Sequence, residues 1–179
     1  MSFNMRINEN KSNNVSNSLK LLVMSALFAA IITFTTWLFH IPIGTNGGYI
    51  HFGDAFIFIA ASMLPTPYAC AAAAIGGGLA DLLSGAAVWM PATIIIKASI
   101  AALFTAKKDN FITKRNIIAL PLALILTCGG YYIAEGIIFG NFVAPLASVS
   151  GNLIQGGGSI AIYLVLALSF DKLKFKGKR

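Results

Sequence analysis

The placement of the positive charges limits this chain most. Of thirteen Lys and Arg residues, twelve fall into three clusters. Arg6, Lys11 and Lys20 lie near the start, Lys107, Lys108, Lys114 and Arg115 in the middle, and Lys172 through Arg179 at the end. Lys97 alone stands elsewhere. The stretches between clusters are long, apolar and nearly uncharged. A membrane helix needs about 20 apolar residues, and Lys and Arg collect on the cytoplasmic side of such helices. A soluble domain carries roughly 25% charged residues, whereas this chain carries 11%, with 57% hydrophobic residues and a mean hydropathy of +0.78. So little charge does not cover a water-facing surface. The net charge of +7 therefore reads as the cytoplasmic flank of membrane spans, and no nucleic-acid partner is expected.

The predicted fold class is an all-α membrane protein: six transmembrane helices in a compact bundle, with both termini cytoplasmic. A six-helix substrate-binding domain, 18–171, lies between a polar, Asn- and Ser-rich tail, 1–17, expected to be disordered, and a basic tail, 172–179. The spans are read as 19–39, 55–64, 68–83, 91–106, 117–139 and 152–170. The Gly-rich loop 40–54 is closed by Asp54, and Pro91 suits the first turn of a helix. With the N-terminus inside, six crossings place the first, third and fifth loops outside, and these contain no Lys or Arg. The fourth loop, with four basic residues, and the C-terminal tail then fall inside. The region 55–83, interrupted by Pro65 and Pro67, reads as two short helices or a re-entrant hairpin; two helices are expected. Cys70 and Cys128 lie in apolar stretches without metal-ligand spacing, and no cofactor is expected.

Polar groups inside a membrane are costly and mark function. Here they gather near the outer ends of the spans, while the inner halves read as nearly all aliphatic. Lys97 lies about two turns into the fourth span. Tyr131, Tyr132 and Glu135 lie in the outer third of the fifth, and Asn152 and Gln155 in the first turn of the sixth. Tyr132 and Glu135, and likewise Asn152 and Gln155, are spaced i and i+3 and so share a face. Lys97 needs an anionic partner, and Glu135 matches it in depth. The two form a structural ion pair, touch a ligand, or both. Asp54 is placed to cap a helix N-terminus. Asp81 closes a helix at the end where the dipole disfavours it. His51 reads as a headgroup-level loop residue or a ligand contact, and Trp89 as part of an interfacial aromatic belt or a stacking surface. Tyr49, Trp89, Tyr131 and Tyr132 supply aromatic faces. Together these residues describe a pocket for a small, flat, hydrogen-bonding ring. Ala71–Ala74 with Gly76–Gly78, and Gly156–Gly158, are small-residue surfaces for close helix packing. Ala26 and Ala30 form a small-xxx-small pair that either docks a partner helix or packs within the bundle.

The stretches GGYIHFGDAFIFIAASMLP, AAAAIGGGLADLLSG and WMPATIIIKASIAALF, within the six-span layout, resemble the S components of energy-coupling factor (ECF) vitamin transporters, in particular the riboflavin-transporter-like group. The resemblance implies a prokaryotic, multi-pass plasma-membrane protein that binds a vitamin or precursor from outside: hydroxymethylpyrimidine, a pyridoxine-like molecule or riboflavin. It implies a lid in the first loop, 42–53, including Gly47 and Gly48. It also implies contact through Ala26 and Ala30 with a transmembrane T subunit, which works with two cytoplasmic ATPases. The chain has no GxxxxGK[ST] loop of its own, so energy must come from such partners.

Two other classes compete. An intramembrane serine protease would need a His beside a Ser nucleophile. Ser159 follows a Gly run, but His40 and His51 lie at the outer end of the first span and its loop, so no enzyme is expected. A stand-alone secondary transporter of a small heteroaromatic solute would show repeats and broken helices. Only Pro65 and Pro67 point that way.

Overall fold

The computed structural model describes the backbone of residues 2–39, 41–43 and 48–176 and the side chains of 15–39, 41 and 51–176. Among these residues the chain forms six α-helices: α1 (Ser2–Leu38), α2 (Gly53–Met63), α3 (Thr66–Leu83), α4 (Met90–Leu103), α5 (Lys114–Phe139) and α6 (Pro145–Lys172). A short antiparallel ribbon, β1 (Ile41–Ile43) with β2 (Gly48–Ile50), joins α1 to α2 and pairs Pro42 with Tyr49. A 3-10 turn, Ala87–Trp89, leads into α4. Three helical segments, Val15–Leu38, Lys114–Phe139 and Pro145–Lys172, are long and apolar enough to cross a membrane.

Helices α1, α3, α4, α5 and α6 pack in that order, each against the next, and α2 lies within the arc they form, touching α1, α3, α4 and α6. Helix α2 is about 16 Å long at 1.5 Å per residue. Apart from Asp54 and Ser62 its side chains are apolar, as in a helix with no solvent face, and nine of its eleven residues are buried. The outward faces are greasy instead: Ile95, Ile125, Ile137, Ile154 and Val165 are each about two-thirds exposed. Water-soluble proteins do the reverse, so this surface belongs in lipid.

Close approach of α1 and α3 rests on glycine. A Cβ on Gly76 would stand 2.8 Å from Ile32 Cβ and 2.9 Å from the Ala29 carbonyl oxygen. Thr33 Oγ1 bridges the two helices by donating to the Gly76 carbonyl at 3.0 Å. The small-residue surface of α3 is thus an internal seam. Helix α5 starts where Thr113 Oγ1 accepts from the Asn116 N–H at 3.1 Å, an N-cap. It ends at Gly140, whose φ of 64° suits glycine.

Several expectations need correction. Helix α1 begins at Ser2, so the polar stretch 1–17, expected to be disordered, is described as helix from residue 2 onward; extending a nucleated helix costs little per residue. Helix α6 starts at Pro145 and not near 152, because Pro145 presets the first turn and Ser150 turns its hydroxyl back onto the Ala147 carbonyl at 2.9 Å. Nor is the end of the bundle bearing the basic loop purely aliphatic. There buried Asn116 donates to Ser62 Oγ at 3.2 Å and to the carbonyls of Thr105 and Phe111, and accepts from the Thr105 N–H at 2.9 Å. Tyr163 joins Ser62 and the Phe111 carbonyl. Asp171 accepts from the N–H groups of Phe111 and Ile112 at 2.7 and 2.9 Å. This network ties the α4–α5 loop to α2 and α6.

Candidate functional site

The opposite end of the bundle contains a cavity. It is lined from all six helices and from two connecting segments, and its empty volume is about 680 Å³ with the open mouth included. The two polar ends are joined by α2. Asp54 in its first turn faces the cavity, and Ser62, eight residues later, belongs to the network just described. That separation is about 12 Å along the axis. Helices α2 and α3 leave and return to the cavity end, since Asp54 and Asp81 both line it.

At the centre Lys97 Nζ donates to Asp54 Oδ1 at 2.6 Å, with both side chains almost wholly buried. Gln155 Nε2 donates to the other Asp54 oxygen at 3.1 Å, and its Oε1 accepts from the His51 N–H at 3.3 Å. Asp54 thus organises α2, α4 and α6 around one carboxylate. It is not a helix cap: no side-chain cap bond forms at the start of α2. The expected partnership of Lys97 with Glu135 is replaced by this one, because α2 lies inside the arc and brings its first turn against α4. Glu135 is buried on the cavity wall across from them, on α5.

Aromatic groups form one wall. Trp89 and Tyr131 meet edge to face, centroids 6.1 Å apart, and Trp89 also rests against Phe139. The Tyr131 hydroxyl shares a 3.0 Å hydrogen bond with Thr93 Oγ1, and its ring lies 5.3 Å from Lys97 Nζ. His51 accepts the Gly53 N–H at Nδ1 at 3.0 Å.

Of the residues expected in the pocket, His51, Trp89, Lys97, Tyr131, Glu135, Asn152 and Gln155 line this one cavity. Tyr132 does not: its hydroxyl donates to the Phe142 carbonyl at 2.9 Å, away from the cavity. The face that looks inward is therefore Tyr131 with Glu135, an i, i+4 pair, and not Tyr132 with Glu135. Gly47 and the side chain of Tyr49 lie outside the described residues, and Gly48 belongs to β2. Asn152 and Gln155 stand two to three turns into α6 instead of in its first turn, which sinks them deeper. Thr36, Thr93 and Ser148 also line the cavity and were not anticipated. Thr93 had a readable signal, since it precedes Lys97 by four residues and shares its face. Gly77 lines the cavity and packs closely on α4: a Cβ there would meet Thr93 Cγ2 at 2.9 Å and Lys97 Cγ at 3.1 Å.

The family model for the ECF-type riboflavin transporter, S component, matches residues 16–172. The chain belongs to this family. It is thus an ECF transporter S component and a membrane protein. Its fold agrees with the solved S component of a bacterial ECF transporter, with a TM-score of 0.63 at 22% identity over 90% of this chain and 99% of that one. An uncharacterized protein in the gap 3' region of Pyrococcus woesei is 28% identical over 136 residues, which is 71% of this chain and 90% of that relative. In this S component Ala26 and Ala30 face outward from α1, while Ser25 and Ala29 beside them turn into the bundle.

Proposed function

We propose that the cavity is the vitamin site of an ECF-type importer. In this reading the chain captures a small, flat, heteroaromatic vitamin or precursor from outside the cell. It then delivers it through a transmembrane T subunit driven by two ATPase subunits. The observation that carries the reading is the Asp54–Lys97–Gln155 cluster, buried beside Trp89 and Tyr131 in a bundle whose outer surface is otherwise lipid-compatible. Buried charge in a membrane protein is costly and serves a site, and concave pockets with few convergent polar groups hold small ligands.

Orientation follows from charge. The cavity receives residues from the first and third connecting segments, which, like the fifth, lack Lys and Arg, whereas the basic fourth loop is tied to the other end. With the basic end cytoplasmic, the cavity opens outward, six crossings bring both termini inside, and the plasma membrane is the site of action. The β1–β2 ribbon serves as the lid. Ala26 and Ala30, exposed on α1, offer a close-packing face to the T subunit.

Reconstitution tests this. Proteoliposomes holding this chain with a T subunit and two ATPases should accumulate vitamin only with ATP. Proteoliposomes holding the chain alone should bind vitamin without accumulating it. Accumulation by the chain alone under an ion gradient would replace this reading with a secondary transporter.

A further inference from the structure

We propose that Trp89 holds the ligand through its indole N–H and not through its ring face, with the Thr36 hydroxyl as a second contact. The ligand then carries hydrogen-bond acceptors at the rim of its ring, such as a ring nitrogen or a carbonyl oxygen. This rests on the reading of the cavity as a vitamin site and names the part of the ligand that is read.

The ring of Trp89 is already occupied. It rests against Tyr131 and Phe139, with centroids 6.1 and 5.9 Å away, and the residue is 6% exposed. Little of its surface is left to stack on a ligand. Nor does it behave as an interfacial belt residue, which keeps a polar tip at the headgroups: its Nε1 is buried. That nitrogen has no hydrogen-bond partner among the described residues, and Trp89 lines the cavity. Buried indole N–H groups normally find an acceptor. The donor is also fixed in place. The Trp89 backbone N–H donates to the Ala86 carbonyl at 2.9 Å, and α4 begins at the next residue. A donor held this way binds without losing much further freedom.

Thr36 is an independent case. Ser and Thr hydroxyls within helices can bond to the carbonyl four residues earlier. Ser25, Thr33, Thr35, Thr127 and Ser169 do so here, at 2.7–2.9 Å. Thr36, on the same helix as the first three, does not. Its Oγ1 is buried without a hydrogen-bond partner among the described residues, and Thr36 lines the cavity. The start of α2 is shaped around this hydroxyl: a Cβ on Gly53 would fall on Thr36 Oγ1. The hydroxyl is thus kept for something other than its own helix. An indole N–H donates and never accepts, so the ligand must bring the acceptor. Sites built around such a donor reject analogues that lack the partner, because the donor is then buried alone.

The test uses the full chain in detergent with riboflavin, pyridoxine and hydroxymethylpyrimidine as probes, and goes forward with the one that binds tightest by titration calorimetry. The chain has two Trp residues. Trp37 is 41% exposed and does not line the cavity, so Trp37→Phe should leave affinity unchanged and makes Trp89 the single Trp. Replacing Trp89 in that background by benzothienylalanine keeps the fused ring and puts sulfur in place of the N–H. Thr36→Val likewise removes a hydroxyl and keeps the shape. Each should weaken binding by about tenfold. Thr127→Val, whose hydroxyl serves the Ala123 carbonyl, should stay within about twofold of wild type. In the proton–nitrogen correlation spectrum of the Trp37→Phe protein, the indole resonance should move downfield as the probe binds; this readout stands by itself if a variant fails to fold. Wild-type affinity in either the benzothienylalanine or the Thr36→Val protein, or an indole resonance that does not move downfield, overturns the proposal and leaves the importer reading intact. Binding of none of the three probes overturns both readings together.

Discussion

Lys97 and Asp54 lie 43 positions apart in the chain and meet as a buried ion pair at 2.6 Å. Their side chains are 2% and 1% exposed, so neither charge has water to fall back on. Breaking such a pair from one side leaves an uncompensated buried charge, which costs about 3–5 kcal/mol. Lys97→Met should therefore lower the melting temperature of the detergent-solubilised protein sharply. The double variant Lys97→Met with Asp54→Asn should recover much of that loss, because the neutral amide no longer needs the ammonium. Equal melting of the single and double variants would show that the pair is not the anchor described.

Ligand affinity should respond to the cavity wall and not to its neighbours in sequence. Glu135→Ala and Asn152→Ala each remove a group facing the cavity. Each should weaken vitamin binding by about tenfold or more, the usual consequence of losing a hydrogen bond to a charged or well-placed partner. Tyr132→Phe removes only the bond to the Phe142 carbonyl, so affinity should stay within about twofold of wild type. Titration calorimetry on the three variants reads this directly.

The seam between α1 and α3 makes a stability prediction with a built-in control. Gly76→Ala drives a methyl group against Ile32 Cβ and the Ala29 carbonyl. Overpacking of this kind costs about 1–3 kcal/mol. At Gly129 nothing lies within 4 Å of an added Cβ. Gly129→Ala in the same type of helix should be neutral or stabilising, by up to about 1 kcal/mol. Parallel thermal melts of the two variants separate crowding from helix propensity.

The network at the basic end should matter for stability and not for binding. Asn116→Ala removes the partner of the Thr105 N–H and carbonyl, and one of the two partners of Ser62 and of the Phe111 carbonyl, which keep Tyr163. A loss of about 1–3 kcal/mol is expected. Vitamin affinity should be preserved, since α2 holds this cluster apart from the cavity. A large drop in affinity with no change in melting would reverse the assignment of roles.

Ala26 and Ala30 test the partner surface. Both are exposed on α1, so Ala26→Leu with Ala30→Leu should leave melting and vitamin binding unchanged. Close helix approach to a T subunit would be lost, and ATP-driven uptake in reconstituted vesicles should collapse. Normal uptake by the double variant would place the T subunit elsewhere.

Membrane residence, six helical segments and the convergence of polar residues at one end were all legible in the linear order of residues. Each follows from depth, and depth is measured along the chain: a residue's distance from the nearest span end tells which leaflet it occupies. Depth placed Lys97, Glu135, Asn152, Gln155, Trp89 and His51 at one level, and the structure gathers them in one cavity. Rotation about the helix axis is a different coordinate. It depends on which helices are neighbours, and that is settled by packing of seams such as Gly76 on Ile32. Hence Asp54, and not Glu135, faces Lys97, and Tyr131, and not Tyr132, faces the cavity. The polar cluster around Asn116 escaped notice for a related reason. Ser62, Asn116 and the α6 residues Tyr163 and Asp171 come from three distant parts of the chain, and each alone looks incidental until α2 is buried at the centre and draws them together. The chain by itself determined what must leave water and at what depth each costly group sits; only the tertiary structure decided which of those groups touch, because contact requires the azimuth that helix packing alone sets.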